Sequence, residues 1–178
     1  GVSPAAAAAS LQDAGICFMA ATTHHPAMRH AAPVRSELGV RTIFNLLGPL
    51  CNPARVERQT IGVFSRDWRE PLARALRELG AKRVWLLHGD DGLDEATTTG
   101  LTHVVALEDG EIRSFDLSPE DAGLPRATTQ ALVGGDAAHN ARALRAVLEG
   151  AKNPYRDIAV LNASVALIVA GRAANLRE

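Results

Sequence analysis

Residues 24 to 53 bring together side chains that could bind an anion. His24, His25, Arg29, His30, Arg35 and Arg41 are interleaved with an apolar run, Ile43, Phe44, Leu46 and Leu47, which closes on Gly48-Pro49 and Asn52-Pro53. A core helix has no use for so many cations, and a plain loop has none for so many large apolar side chains. The combination suits a receptor for a small, flat, anionic molecule. A planar guanidinium can hold a carboxylate by two parallel hydrogen bonds, and an apolar floor can take a ring. Residue types alone do not choose among Arg29, Arg35 and Arg41. A second group, Asp90, Asp91, Asp94 and Glu95, places four carboxylates within six residues on a Gly-rich turn after an apolar strand. Clustered hard oxygen donors suit Mg²⁺, which is usually held by one or two carboxylates while substrate phosphates fill other positions. The carboxyl end of a strand is also where ligands bind in open α/β sheets. A solvated acidic loop is the alternative that charge alone leaves open.

The elements that must carry these groups can be read in order. Ser3-Pro4, the alanine run to Ala14 and Gly15 spell cap, first turn, helix and stop. Ile16 to Ala20 is a short apolar run expected to be a buried strand. Pro26 can start a helix, Pro33 interrupts the pattern so that two short helices are expected, and Gly39 ends the second. Gly48-Pro49 and Asn52-Pro53 are expected to force turns. Residues 59–64 read as a strand, Asp67 to Leu79 as a helix with Leu72, Ala75, Leu76 and Leu79 on its apolar face, and Arg83 to His88 as a buried strand. Asp109-Gly110 between residues 101–107 and 111–115 predicts a β-hairpin. Ser118-Pro119-Glu120-Asp121 opens a turn, and residues 122–135 read as loop with short helical pieces. Asp136 caps a helix to Leu148, and Asn153-Pro154 starts a last helix to about Leu176. Strand–helix–strand with nearly continuous apolar strands argues for an α/β fold, a mostly parallel sheet with flanking helices and a hairpin.

Composition narrows the function classes. In 178 residues, 47% are hydrophobic, 22% charged, and the formal net charge is −1, ordinary values for a globular domain with a real core. A near-neutral charge and 4% aromatic residues argue against a basic or base-stacking nucleic-acid surface. Cys17 and Cys51 read as reduced, packed thiols. The most apolar stretch, Ile158 to Ala170, carries Asn162 and Ser164 and falls short of the ~20 residues of a membrane span. Asn162 reads as a satisfied core amide. Val133-Gly134-Gly135-Asp136 invites a phosphate-loop reading, but Asp136 before an alanine-rich helix is more simply an N-cap.

The segments His25-Pro26-Ala27-Met28-Arg29-His30, Pro33-Val34-Arg35-Ser36-Glu37-Leu38-Gly39 and Arg41-Thr42-Ile43-Phe44-Asn45-Leu46-Leu47-Gly48-Pro49-Leu50-Cys51-Asn52-Pro53-Ala54 together resemble the signature of the anthranilate phosphoribosyltransferases. The resemblance continues to the C-terminus. It implies a catalytic domain of the nucleoside phosphorylase/phosphoribosyltransferase type. The reaction it implies transfers 5-phosphoribose from phosphoribosyl pyrophosphate (PRPP) to anthranilate with release of pyrophosphate, in tryptophan biosynthesis. It also implies Mg²⁺ as cofactor, a cytoplasmic location, a homodimeric parent and no nucleic-acid or membrane partner. Residue by residue, it puts the anthranilate carboxylate on Arg35, the pocket wall on His25, Gly48 and Pro49, and the metal on Asp94 and Glu95. Asp90 and Asp91 are left as loop charges, His24 and His30 as structural or exposed, and Met28, Phe44 and Leu47 as packing.

Two family segments, the Gly-Thr-Gly-Gly-Asp loop that cradles the pyrophosphate and a Lys-His-Gly-Asn-Arg segment, do not occur in this sequence. They are expected upstream of residue 1, with the helical domain. Residues 1–178 are accordingly expected to be an incomplete, single α/β catalytic domain, inactive alone. A nucleoside phosphorylase of the same fold is the alternative enzyme, disfavoured by Arg35 and the Asp94-Glu95 pair. A non-enzymatic nucleic-acid-binding relative is the other alternative, disfavoured by charge.

Overall fold

The computed structural model describes residues 2–24, 30–52 and 54–178. They form two compact units, Gly1–Arg55 and Val56–Glu178.

Among its described residues the first unit is helical. Helix α1 (Pro4–Ala14) starts as its sequence dictates: the Ser3 side chain accepts from the Ala6 N–H, and Gly15, at φ 72°, turns the chain left-handed. The expected strand at 16–20 is absent. These residues are irregular, with Ile16 72% and Phe18 78% exposed, and the Ile16 carbonyl is taken by the Ser10 hydroxyl at 2.8 Å. A strand needs a neighbour to satisfy its backbone, and no described residue of this unit offers one. Helix α2 (Ala21–His24) precedes residues 25–29, which lie outside the described residues; the helix start expected at Pro26 falls there. Helix α3 (Ala32–Leu38) has Pro33 in its first turn, and Gly39, at φ 62°, ends it as expected; the helix expected before Pro33 starts outside the described residues. Gly48-Pro49 does not force a turn. Both residues lie in helix α4 (Phe44–Leu50). Near a C-terminus a proline removes only one hydrogen bond, and the Cys51 N–H closes the end on the Leu47 carbonyl at 2.9 Å. The turn after Asn52 does form, with Asn52 Oδ1 accepting from the Ala54 N–H at 2.9 Å.

The second unit is a four-stranded sheet, β1 (Arg58–Gly62), β2 (Arg83–Gly89), β3 (Thr102–Glu108) and β4 (Glu111–Leu117), in that spatial order. Helix α5 (Arg69–Glu78) crosses between β1 and β2 and makes them parallel. The α/β class, flanking helices and hairpin are as expected, but the sheet is not mostly parallel: β2–β3 and β3–β4 are antiparallel. The reason lies in residues 90–101. A parallel return needs a crossover helix, and this segment holds none. The unbroken apolar run of β2 instead reflects burial on both faces. One face, with Trp85, Leu87, Val104 and Ala106, packs on Leu161, Val165 and Val169 of α7 (Pro154–Ala170). The other packs on α5, whose buried residues are Leu72, Ala73 and Leu76; Leu79, expected on that face, is exposed.

The hairpin turn is set by Asp109 (φ 50°) and Gly110 (φ 86°). Helix α7 ends at Gly171, short of Leu176. Its last carbonyls are held by arginines from the sheet, Ala170 by Arg58 at 2.5 Å and Ile168 by Arg83 at 3.2 Å. Among the described residues no helix is long and apolar enough to cross a membrane. Cys17 and Cys51 are free thiols.

Helix α6 (Ala137–Leu148) is capped by Asp136, whose Oδ1 accepts from the His139 N–H at 2.7 Å. Asn140 closes on Gly135, accepting its N–H at 2.8 Å and donating to its carbonyl at 3.1 Å, so the Gly-Gly segment is a helix entry. Asp136→Ala is expected to cost about 1 kcal/mol, read as a melting temperature lower by ~3 °C.

Candidate active site

The acidic turn joins β2 to β3 in the second unit. Its four carboxylates divide into two that are engaged and two that are not. Asp90 pins the stems together: its N–H donates to the Leu101 carbonyl at 2.9 Å, and its Oδ2 accepts from the Leu101 N–H at 3.3 Å. Arg66 donates to its other oxygen. That oxygen also meets His103 Nε2 at 2.7 Å, while His103 Nδ1 meets Asp116 at 2.7 Å. The His103 hydrogen bond is the chief reason the Asp90 carboxyl lies below its ordinary range. Asp91 ties the turn from within, accepting from the Thr97 and Thr99 hydroxyls at 2.6 and 2.5 Å and from the Leu93 N–H at 3.1 Å. Burial pushes its carboxyl up, but the two hydroxyls and the N–H outweigh that and hold it low. These two residues are structural anchors, not loop charges.

Asp94 and Glu95 follow the two anchors along the turn, and neither side chain makes a hydrogen bond or ion pair among the described residues. Burial first, then the Asp94 and Asp91 charges, push the Glu95 carboxyl above its ordinary range. Adjacent, unpaired carboxylates that repel each other are what a divalent cation relieves. Among the described residues no group of three metal-ligating side chains surrounds them, so the donor set fits a cation whose other positions are filled by water or phosphate oxygens. Their backbone is closely held. A Cβ on Gly62, at the end of β1, would fall 1.5 Å from the Asp94 carbonyl oxygen. Two residues on, Asn162 of α7 accepts the Ala96 N–H at 3.0 Å and donates to the Ala96 carbonyl at 2.8 Å. Asn162 is the satisfied amide expected, and its partner is the backbone beside Glu95.

The cationic group lies in the first unit. Arg35 projects from α3 at the edge of an open hollow of about 430 Å³, lined also by His30, Val34, Leu38, Thr42 and Phe44. The guanidinium has no hydrogen bond or ion pair among the described residues. Phe44 supplies an aromatic wall of this hollow. The Thr42 hydroxyl is buried and unpartnered among the described residues, a polar group that sequence reasoning passed over. Gly48 and Pro49 sit in α4, outside the lining of this hollow, as does the half-buried Leu47. His25 falls outside the described residues, as do Arg29 and Met28. His30 is exposed, as expected, and His24 is half-buried, with its Nδ1 3.2 Å from the Ala20 carbonyl.

Residues 1–178 match the family model described as glycosyl transferase family, a/b domain. The chain belongs to that family. This glycosyl transferase domain is 68% identical over 170 residues to an anthranilate phosphoribosyltransferase of Methylocella silvestris, covering 96% of the chain and 49% of the relative. It is 62% identical over 178 residues to that of Methylobacterium nodulans, covering 100% and 53%. Among solved structures, the domain superposes on anthranilate phosphoribosyltransferase from Thermus thermophilus with a TM-score of 0.85 at 43% identity, over 96% of the chain and 50% of that structure. The Saccharomyces cerevisiae enzyme in complex with PRPP and Mg gives 0.75 at 29% identity, over 86% and 44%. The same yeast enzyme in complex with 4-fluoroanthranilate gives 0.74 at 27%, over 86% and 45%. The glycosyl transferase domain thus spans about half the length of the curated relatives it matches.

Proposed function

We propose that the protein carrying this domain is an anthranilate phosphoribosyltransferase, moving 5-phosphoribose from PRPP to the anthranilate amine and releasing pyrophosphate. The observation that carries the reading is Arg35: a guanidinium with no partner among the described residues, at the rim of an apolar hollow walled by Phe44. A benzoate-like acceptor needs that pairing of planar cation and apolar surface. The relatives' names and the yeast complexes with PRPP, Mg and 4-fluoroanthranilate point the same way.

In this reading Arg35 orients the acceptor by its carboxylate, with His25, Gly48 and Pro49 assigned to the same site by family resemblance. The aryl amine is uncharged at neutral pH, so its lone pair is free to attack and little base catalysis is required. What the protein supplies is orientation of two substrates. Asp94 and Glu95 would hold Mg²⁺. When bound, the ion supplies charge neutralisation at the leaving pyrophosphate. We further assign the parent a cytoplasmic location and a homodimeric state, the latter checked by sedimentation.

The test is Arg35→Ala in the full-length enzyme. Losing a charge-assisted pair costs about 1.5–3 kcal/mol, so the anthranilate KM should rise about 10- to 100-fold with the PRPP KM nearly unchanged. Equal loss of both would remove Arg35 from the acceptor site. Phosphorolysis of a nucleoside by the same enzyme would favour a nucleoside phosphorylase.

A further inference from the structure

The acidic turn is held from a distance by one side chain. Asn162, in the middle of α7, uses its carboxamide on both backbone groups of Ala96: Oδ1 accepts the N–H at 3.0 Å, and Nδ2 donates to the carbonyl at 2.8 Å. Its second N–H goes to the Ile158 carbonyl at 3.0 Å, so both amide donors are engaged. Ala96 is fully buried, and its backbone has no other hydrogen-bond partner among the described residues. Asp94 meanwhile rests its carbonyl against Gly62. The stretch Asp94-Glu95-Ala96 is therefore stopped at Asp94 by β1 and gripped at Ala96 by α7.

We propose that Asn162 is a positioning residue for a divalent-cation site at Asp94 and Glu95, fixing the direction of the Glu95 carboxylate through the backbone of Ala96. The proposal rests on the reading that these two carboxylates hold the cation. A backbone that must stay still while two carboxylates converge on an ion requires such outer support. Asn162 does so at a mid-helix site where alanine would favour the helix itself more, which separates this role from support of α7.

The experiment uses the 178-residue chain, with Mg²⁺ as the probe and amide resonances as the readout. In the wild-type chain, Mg²⁺ should shift the signals of Asp94 to Ala96, and the Ala96 amide should exchange slowly although it belongs to no helix or strand. Asn162→Ala should weaken Mg²⁺ about tenfold and speed Ala96 exchange by a similar factor, leaving the amides of β2, β3 and α7 protected. Asn162→Leu, which keeps the volume and removes the hydrogen bonds, should do the same. Unchanged Mg²⁺ affinity in both variants, with binding intact in the wild type, overturns the proposal alone. Rapid exchange of Ala96 in the wild type overturns it without any variant. Absence of Mg²⁺ shifts at Asp94 and Glu95 in the wild type overturns the cation-site reading and the proposal together.

Discussion

Gly62→Ala is expected to damage this protein more than any surface change of equal size. The added methyl would lie 1.5 Å from the Asp94 carbonyl oxygen and 2.5 Å from its carbon. Both are backbone atoms, so no side-chain rotation relieves the clash. Either β1 loses its register on β2 or the acidic turn lifts away. Overpacking of this kind costs about 1–3 kcal/mol, and backbone collision puts Gly62→Ala at the upper end. A melting temperature lower by ~5–10 °C and weakened Mg²⁺ binding are expected. A variant that melts with the wild type and binds Mg²⁺ equally would contradict the close approach of Gly62 and Asp94.

The second large effect concerns the unpaired carboxylates. In the full-length enzyme, Asp94→Asn with Glu95→Gln is expected to reduce turnover by ~100-fold or more, the scale of losing a charge-stabilising group. The same pair should show in stability. Burial and the charges of Asp94 and Asp91 hold the Glu95 carboxyl above its ordinary range, so the folded chain binds that proton more tightly than the unfolded chain. The resulting stability is present in acid and is lost as pH rises through the raised value. In chelator, Glu95→Gln should therefore match or exceed the wild type in melting temperature at pH 7, and lose that relative advantage on acidification. Mg²⁺ at about tenfold over its dissociation constant should stabilise the wild type by about 1.4 kcal/mol and leave Glu95→Gln nearly unmoved. Equal stabilisation of both proteins would place the cation elsewhere.

Local signals in the sequence are legible because they act within a few residues. Ser3, Asp136 and Asn153 cap the helices they precede, and Asp109-Gly110 turns the hairpin. Features whose deciding partner is remote in the chain are not legible in this way. A continuous apolar run reports burial on two faces but not the direction of the next strand, so the sheet is less parallel than that run implies. The run at 16–20 is apolar, but no described residue of its own unit pairs with it. Asp90 looked like surplus charge because Arg66 and His103, which engage it, lie 24 and 13 residues away. Asn162 reads as an ordinary core amide until Ala96, 66 residues off, is seen beside it. The Thr42 hydroxyl, unpartnered among the described residues, had no sequence signal at all.

The antiparallel course of β2, β3 and β4 also bears on how the molecule assembles. These strands are sequential neighbours, so their ladder can zip from the Asp109-Gly110 turn with little loop-closure entropy. The parallel partner β1 must wait for a whole helix to wrap across, and only then does Asp94 gain its seat on Gly62. The acidic pair is thus expected to reach its final geometry among the last events of folding, later than the scaffold beneath it.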